Sequence, residues 1–206
     1  MPRKIVPLVN NEFYHVYNRG TDKRDIFTNK SDYLRFYQTL NLFNTIEPIE
    51  HFESARALYK LSKVRSRLVE IYAYALLPNH YHLILKQLED GGISEYLKRV
   101  SGGYTSYFNK KQKRNGVLFQ GKFKRVHIES DEQYNYLLAY VNENHFVHNI
   151  RINREICHSS SLHYQGIVNS VLLPHIDQKY NFNEGIKLAQ EIYFKRKLLK
   201  TNTMLE

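Results

Sequence analysis

Two apolar segments joined by a short turn occupy the middle of the chain. Residues 68–76 are rich in Val, Ile, Ala and Tyr, Pro78-Asn79 supplies a turn, and residues 80–87 form the second segment. This pattern predicts a β-hairpin. Since strand side chains alternate between the two faces of a sheet, His80 and His82 at the start of the second strand point to the same face. The fold must therefore contain a sheet that presents two imidazoles side by side.

The histidine pair admits two interpretations. The Cα atoms of His80 and His82 lie roughly 6–7 Å apart in a strand, a span from which two rings can converge on one metal ion. Neutral imidazole is a common metal ligand, and such a pair leaves coordination positions for a substrate oxygen. A half-exposed or hydrogen-bonded pair without a metal also fits the motif. The spacing alone does not decide between them.

The charge balance favours a polyanionic partner. The 206 residues include 30 Lys and Arg against 20 Asp and Glu, for a formal net charge of +10. A surplus of this size points to nucleic acid ahead of a membrane surface.

The single cysteine, Cys157, rules out an intramolecular disulfide and suits a reducing compartment. No signal peptide is evident, and the longest apolar stretch, residues 71–77, is too short to span a bilayer, so we expect a cytoplasmic protein.

The remaining elements follow from hydrophobic periodicity and turn residues. The sequence predicts a strand at 13–19, helices at 33–45, 54–67 and 94–107, an extended segment at 117–128, and helices at 132–148 and 184–200. A β-α-β-β-α-β core in this order predicts an α+β fold, a ferredoxin-like α/β sandwich with an antiparallel sheet and a C-terminal helical extension. In such a sheet the histidine strand is central, and a following helix can pack on its open face.

Two local signals refine this outline. Ser31 or Asp32 is a suitable N-cap for the first helix. Gly102-Gly103 weakens the helix at 94–107 and marks either a bend or a close approach of another part of the chain.

The helix predicted at 132–148 carries a second polar constellation. Residues four apart share a helical face, so Tyr136, Tyr140 and Asn144 form one stripe, with Glu143 beside it. The adjoining stripe is apolar and would dock on the sheet. A phenol next to an amide at the edge of a buried face fits a tyrosine nucleophile beside a metal site that the amide oxygen completes. Tyrosine on a helix is also a common packing residue, and the residues alone leave both interpretations open.

Cationic and aromatic residues alternate between positions 98 and 125. The cations are Lys98, Arg99, Lys110, Lys111, Lys113, Arg114, Lys122, Lys124 and Arg125, interleaved with Tyr104, Tyr107, Phe108, Phe119 and Phe123. Cations for phosphates and aromatic faces for bases are what single-strand binding uses. We therefore predict that these cations, with Tyr104 and with Arg19 from the first strand, contact DNA. The alternative is that residues 98–125 form a solvated basic helix and loop over core aromatics. The terminal cluster Lys195-Arg196-Lys197 with Lys200 either binds a hairpin stem or keeps a terminal helix soluble.

The chain resembles the single-tyrosine HUH transposases of small insertion sequences, and especially the REP-associated tyrosine transposases, over most of residues 12–166. The resemblance rests on Tyr14-His15-Val16-Tyr17-Asn18-Arg19-Gly20 with Ile26-Phe27, Leu77-Pro78-Asn79-His80-Tyr81-His82, Tyr104-Thr105-Ser106-Tyr107-Phe108-Asn109, Gly121-Lys122-Phe123-Lys124, Tyr140-Val141-Asn142-Glu143-Asn144, and Ser160-Ser161 with Tyr164 and Gly166. It implies a catalytic domain of this type at residues 1–166 and a basic helical extension at 167–206.

The resemblance also implies a role for each site residue. His80, His82 and Asn144 look like the ligands of a divalent metal, Mg²⁺ or Mn²⁺, and Tyr140 like the nucleophile. The family usually has proline directly after the asparagine, whereas this chain has His145, which is expected to extend the helix by a turn and to leave activity intact. His15 on the first strand either supports the histidine pair or packs within the strand.

The function implied is that of a DNA transposase or endonuclease. It would nick and rejoin single-stranded DNA next to hairpins through a 5′-phosphotyrosine intermediate, acting as a monomer or a homodimer. The tyrosine proton would leave either because the metal lowers the phenol pKa or because Glu143 accepts it. Two alternatives use the same fold: a non-catalytic protein that binds nucleic-acid hairpins, and a metal-independent ribonuclease.

Overall fold

A single antiparallel sheet of four strands organises the chain. The strands are β1 (Phe13–Arg19), β2 (Val69–Leu77), β3 (His80–Gln87) and β4 (Lys124–Ile128), in the order β2-β3-β1-β4. Every neighbouring pair is antiparallel. The predicted hairpin and the central position of the histidine strand are confirmed. The computed structural model describes residues 7–61, 66–147 and 159–173, with 184, 187, 188, 190, 191 and 194.

Helices cover both faces of the sheet. They are α1 (Lys30–Leu42), α2 (Phe52–Leu61), α3 (Gly92–Lys111), α4 (Asp131–Asn142), α5 (Asn144–Val147) and α6 (Ser161–Tyr164). α1 and α3 lie on one face and α4 lies on the other, which confirms the α+β sandwich with ferredoxin-like strand order. In the described part of the chain, no helix has both the length and the apolar composition needed to cross a bilayer.

Two buried clusters follow from the alternation of strand side chains. The main core lies between the sheet and α1 with α3, and it takes Val16 from β1 and Tyr81 and Leu83 from β3. The small core lies under α4 and takes Ile84 from β3, together with Val141 of the helix. Because Tyr81 belongs to the main core, the residues on either side of it in β3 face α4. The sheet therefore holds both histidines on the α4 side.

Several predicted boundaries are wrong, for local reasons. Of the extended segment at 117–128 only Lys124–Ile128 joins the sheet, because Gly116 and Gly121 adopt positive φ angles and the loop between them hydrogen-bonds to the end of β1. Helix α2 ends at Leu61 within the range described, and residues 66 and 67 are not helical.

The start of α1 also differs from the prediction. Asn29, not Ser31 or Asp32, is the N-cap, and its side-chain oxygen accepts a hydrogen bond from the Asp32 amide at 3.3 Å. Asp32 is instead fully buried. The adjacency of several capping residues explains why the sequence did not single out Asn29.

Helix α3 runs through Gly102-Gly103 without interruption, so the bend is not observed. The close approach is found at Gly103, where an added Cβ would lie 2.4 Å from Cε2 of Phe43. At Gly102 nothing lies within 4 Å of an added Cβ. Only the second glycine is therefore required by packing.

This difference predicts opposite effects of two adjacent substitutions. Gly103→Ala should lower the free energy of unfolding by about 1–3 kcal/mol, because the methyl group overpacks against Phe43. Gly102→Ala should raise it by roughly 0.5–1 kcal/mol, because alanine loses less backbone entropy in a helix. Urea denaturation of both variants checks the pair, and equal effects of the same sign would contradict the packing at Phe43.

The segment after residue 166 contributes to the same core. Leu172 and Leu173 are buried in the main core, and the Ser170 hydroxyl lies 2.7 Å from that of Tyr37 in α1. The division at 166/167 stays a prediction, since the described part of the extension begins by packing on the preceding domain. Of the predicted helix at 184–200, the described positions are helical. Cys157 and the basic cluster at 195–200 lie outside the described residues.

Candidate active site at the histidine pair

The residues of the helix and of the sheet meet at Tyr140. Ser130 caps α4, its hydroxyl accepting a hydrogen bond from the Gln133 amide at 3.2 Å, and the apolar stripe of the helix docks on the sheet. This docking buries Tyr140 to 7 % exposure. Its ring centroid lies 5.4 Å from that of His82, with the two rings perpendicular. The structure thus brings together two residues that were selected separately in the sequence.

The two imidazoles lie close together, and each is held at Nδ1. The ring centroids of His80 and His82 are 5.1 Å apart. Nδ1 of His80 lies 2.6 Å from the side-chain oxygen of Asn79, and Nδ1 of His82 lies 2.9 Å from Nε2 of His15. His15 was left with two possible roles, and the structure places it in contact with the histidine pair. Burial lowers the pKa of His15 to about 4, so this ring is neutral at physiological pH.

Asn144, four residues after Tyr140, carries a buried side-chain oxygen. The residue is fully buried, and its side-chain NH₂ donates to the Tyr140 carbonyl at 3.3 Å. Its side-chain oxygen is buried with no hydrogen-bond partner among the residues described. Leaving such an acceptor unsatisfied costs about 1–3 kcal/mol, and binding of an ion is one way to satisfy it. The donor set of two imidazoles and one amide oxygen fits a divalent cation of the Mn²⁺ type.

The presence of His145 predicted that the helix would continue past Asn144, but α4 ends before that residue. α4 ends at Asn142, Glu143 leaves the helical conformation with φ −102° and ψ 22°, and α5 then adds one turn over Asn144–Val147. The additional turn is present, but it is a separate helix after a break.

A serine pair ties this break to the sheet. The Ser160 hydroxyl donates to the Asn142 side-chain oxygen at 2.5 Å and accepts from the Tyr74 amide at 3.0 Å. The Ser161 hydroxyl donates to the Glu143 carboxylate at 2.8 Å, and burial raises the pKa of that carboxyl group. Sequence reasoning did not assign these serines a role, because their partners lie 18 or more positions away.

Within the described residues, no group of three or more His, Cys, Asp or Glu side chains is suited to a metal ion. A cation at this site would therefore depend on the amide of Asn144 as well as on the histidines.

The aromatic part of the predicted DNA-contact set is wrong. Tyr104 is fully buried and its hydroxyl donates to the Ile26 carbonyl at 2.6 Å, so it has no face for a base. Phe108 and Phe119 are buried in the main core as well. The burial of Tyr104 could have been predicted from the sequence, because Val100, Tyr104 and Phe108 recur every four residues on one face of α3.

The cationic part of the set divides between structural contacts and exposed positions. Arg99 bonds to Glu95 at 2.8 Å, Lys111 to buried Asp32 at 2.5 Å, and Arg114 to the Asn109 side-chain oxygen at 2.6 Å. These three side chains are engaged in contacts within the protein. The other lysines of the set, Lys98, Lys110, Lys113, Lys122 and Lys124, are exposed, and Lys98 forms an ion pair with Glu95 at 3.3 Å.

The exposed cations do not form one surface. In the register of the sheet, Tyr17 of β1 lies opposite His82 of β3 on one side and opposite Lys124 of β4 on the other. Arg19 of β1 lies opposite His80. Residues directly opposite each other share a face, so both cations lie on the histidine face. Arg125, next in β4, is directed to the opposite face by the alternation of the strand. Lys98 and Lys110 line a cavity of about 1000 Å³ beside α1 and α2, on the other side of the sheet.

Comparisons with known proteins support the fold. No family model matches the chain, and no curated protein matches it either. A solved structure of a REP-associated tyrosine transposase bound to a REP hairpin matches with a TM-score of 0.53 at 13 % sequence identity, over 86 % of this chain and 100 % of that one. The likeness establishes a distant structural relationship and a shared fold.

Proposed function

We propose that this protein nicks and rejoins single-stranded DNA next to hairpins, with Tyr140 as the nucleophile. The observation that carries the proposal is the position of the Tyr140 ring, 5.4 Å from that of His82 and at the edge of the small core. The fold shared with a hairpin-bound transposase supports a DNA hairpin as the neighbouring element of the substrate.

In the proposed reaction the Tyr140 hydroxyl oxygen attacks a backbone phosphorus. The bond from phosphorus to the 3′ oxygen breaks, the tyrosine loses its proton, and the departing 3′ oxygen gains one. The product is a 5′-phosphotyrosine with a free 3′-hydroxyl. A 3′-hydroxyl can later attack the phosphotyrosine and restore a DNA strand without an external energy source.

His80, His82 and Asn144 would hold a divalent cation, Mg²⁺ or Mn²⁺. When bound, such an ion supplies charge relief at a non-bridging phosphate oxygen and fixes its orientation. The fit rests on the buried side-chain oxygen of Asn144 and on the engagement of both Nδ1 atoms, which leaves Nε2 of each ring as the nitrogen with the lone pair when Nδ1 carries the proton.

Arg19 and Lys124 would hold the strand that leads to Tyr140. Replacing both by alanine should weaken binding of a single-stranded oligonucleotide and reduce the slope of log K against log salt by about 1.4, because each phosphate contact contributes about 0.7. Fluorescence anisotropy between 50 and 200 mM salt measures the slope. Lys98→Ala with Lys110→Ala makes the same charge change on the other side of the sheet. If both double variants change the slope equally, the assignment of the histidine face is contradicted.

A suicide oligonucleotide tests the proposal as a whole. A strand interrupted just 5′ of the scissile phosphate, next to a hairpin, releases a short 3′-hydroxyl fragment on cleavage, and the loss of that fragment traps the enzyme on the 5′ phosphate. We expect a covalent adduct on a denaturing gel in the presence of Mn²⁺ and none in the presence of EDTA. A set of hairpin-flanked strands that bind the protein and never form an adduct would instead support the alternative of a non-catalytic hairpin-binding protein, which the net charge of +10 favours equally.

A further inference from the structure

Both histidines of the pair are held through the same ring atom by residues outside the proposed ligand set. Asn79 contacts Nδ1 of His80, and His15, from the neighbouring strand β1, contacts Nδ1 of His82. The ring of His15 stacks on that of His82 at 5.1 Å with an angle of 13°. His15 and His82 are both buried, at 5 % and 6 % exposure. Each imidazole is therefore fixed in rotation as well as in position.

The direction of the hydrogen bond at His80 follows from the neighbours of Asn79. The side-chain NH₂ of Asn79 donates to the Lys23 carbonyl at 3.3 Å, which turns the amide oxygen toward the ring. An amide oxygen only accepts hydrogen bonds, so Nδ1 of His80 must carry the proton. In a neutral imidazole the lone pair then resides on Nε2.

At His82 the partner is another imidazole, and the bond has two possible directions. If His15 donates through Nε2, then Nδ1 of His82 accepts and its Nε2 carries the proton, which blocks that nitrogen as a ligand. If Nδ1 of His82 donates, then His15 accepts and Nε2 of His82 keeps its lone pair. Only the second direction makes His82 equivalent to His80.

We propose that Asn79 and His15 are positioning residues that hold His80 and His82 with the proton on Nδ1, so that both rings present Nε2 to the same cation. The inference rests on the proposed function, because it assigns these residues to the metal site of that reaction. Neither residue touches the cation or the DNA in this role. Partners of this kind fix the tautomer and ring orientation of metal-binding histidines, and their loss typically lowers metal affinity about 10–100-fold.

The tautomers are measurable without metal or DNA. Long-range ¹H–¹⁵N spectra of the full chain labelled on histidine distinguish a protonated Nδ1 from a protonated Nε2, and the spectra of His80→Gln and His82→Gln variants assign the signals. We expect both rings to carry the proton on Nδ1. A proton on Nε2 of either ring in the parent protein overturns the proposal.

Metal affinity supplies the second measurement. Titration of the full chain with Mn²⁺, followed by the EPR signal of free Mn²⁺, should show about 10–100-fold weaker binding for Asn79→Leu and for His15→Phe. Asn79→Asp retains an acceptor oxygen and should bind within about 3-fold of the parent, since the partner that orients His80 is kept. His127→Phe removes a half-exposed histidine of β4 that bonds to Glu12, and it should leave the affinity unchanged.

The two proposals fail in different ways. A parent protein that binds no Mn²⁺ contradicts the proposed function. A parent that binds Mn²⁺ through His80 and His82, with Asn79→Leu and His15→Phe binding it equally tightly, overturns only the positioning role. If a variant does not fold, the test rests on the tautomer measurement in the parent protein. A proton on Nε2 of His80 or His82 there overturns the positioning role.

Discussion

Tyr140→Phe eliminates the covalent protein–DNA adduct and lowers strand cleavage by at least about 10³-fold, because the nucleophilic oxygen is removed. Phenylalanine keeps the ring that packs beside His82, so the small core and the docking of α4 are preserved. Binding of the hairpin substrate should therefore remain within about 3-fold of the parent, since the substitution removes no cation. Denaturing gels report cleavage and the adduct, and anisotropy reports binding.

Tyr136→Phe is the matched control. Tyr136 lies one helical turn before Tyr140 and is 42 % exposed, so the same hydroxyl group is removed from the same helix at a position away from His82. Cleavage by this variant should equal that of the parent. If Tyr140→Phe still forms the adduct, or if Tyr136→Phe loses it, Tyr140 is not the nucleophile.

The second large effect is expected at the histidine pair. His80→Ala combined with His82→Ala should reduce Mn²⁺-dependent cleavage roughly 10²–10⁴-fold, the factor that corresponds to several kcal/mol of transition-state stabilisation from a metal ion. EDTA should produce a similar loss in the parent protein. Asn144→Leu should also weaken Mn²⁺ binding, because it replaces the only amide oxygen in the proposed ligand set with a side chain of similar size.

The control for this pair is His51→Ala, at an exposed histidine just before α2. It should have no effect on cleavage. Circular dichroism confirms that each variant keeps its secondary structure, which matters most for buried His82. Cleavage that persists in EDTA, or in the double histidine variant, would contradict a metal-dependent mechanism.

The parts of this site that could be predicted from sequence depend on local periodicity. The alternation of a strand places His80 and His82 on one face, and the hairpin turn pairs β3 with β2. The four-residue spacing of a helix relates Tyr140 to Asn144. The strand relation is determined within one element and does not depend on the rest of the chain, whereas Asn144 lies in α5, after the break that ends α4. The break at Glu143, whose carboxylate accepts a hydrogen bond from the Ser161 hydroxyl, did not follow from spacing.

The parts that could not be predicted depend on distant partners. Lys111 was expected to contact DNA, yet its ammonium group is bound to Asp32, which lies 79 positions earlier. His15 lies 67 positions from His82. A run of lysines and arginines looks the same in sequence whether its members face solvent or neutralise buried carboxylates. Tyr104 differs, because its four-residue spacing with Val100 and Phe108 already indicated a core position.

The central claim is that Tyr140 becomes covalently joined to a DNA 5′ phosphate. Its most direct test is peptide mapping by mass spectrometry of the adduct that the parent protein forms with a hairpin suicide oligonucleotide in Mn²⁺. After nuclease and protease digestion, the peptide that contains Tyr140 should carry a residual nucleotide phosphate, with fragment ions locating it on the tyrosine. A nucleotide located on any other residue, or no modified peptide from a substrate that the protein binds, would contradict the claim.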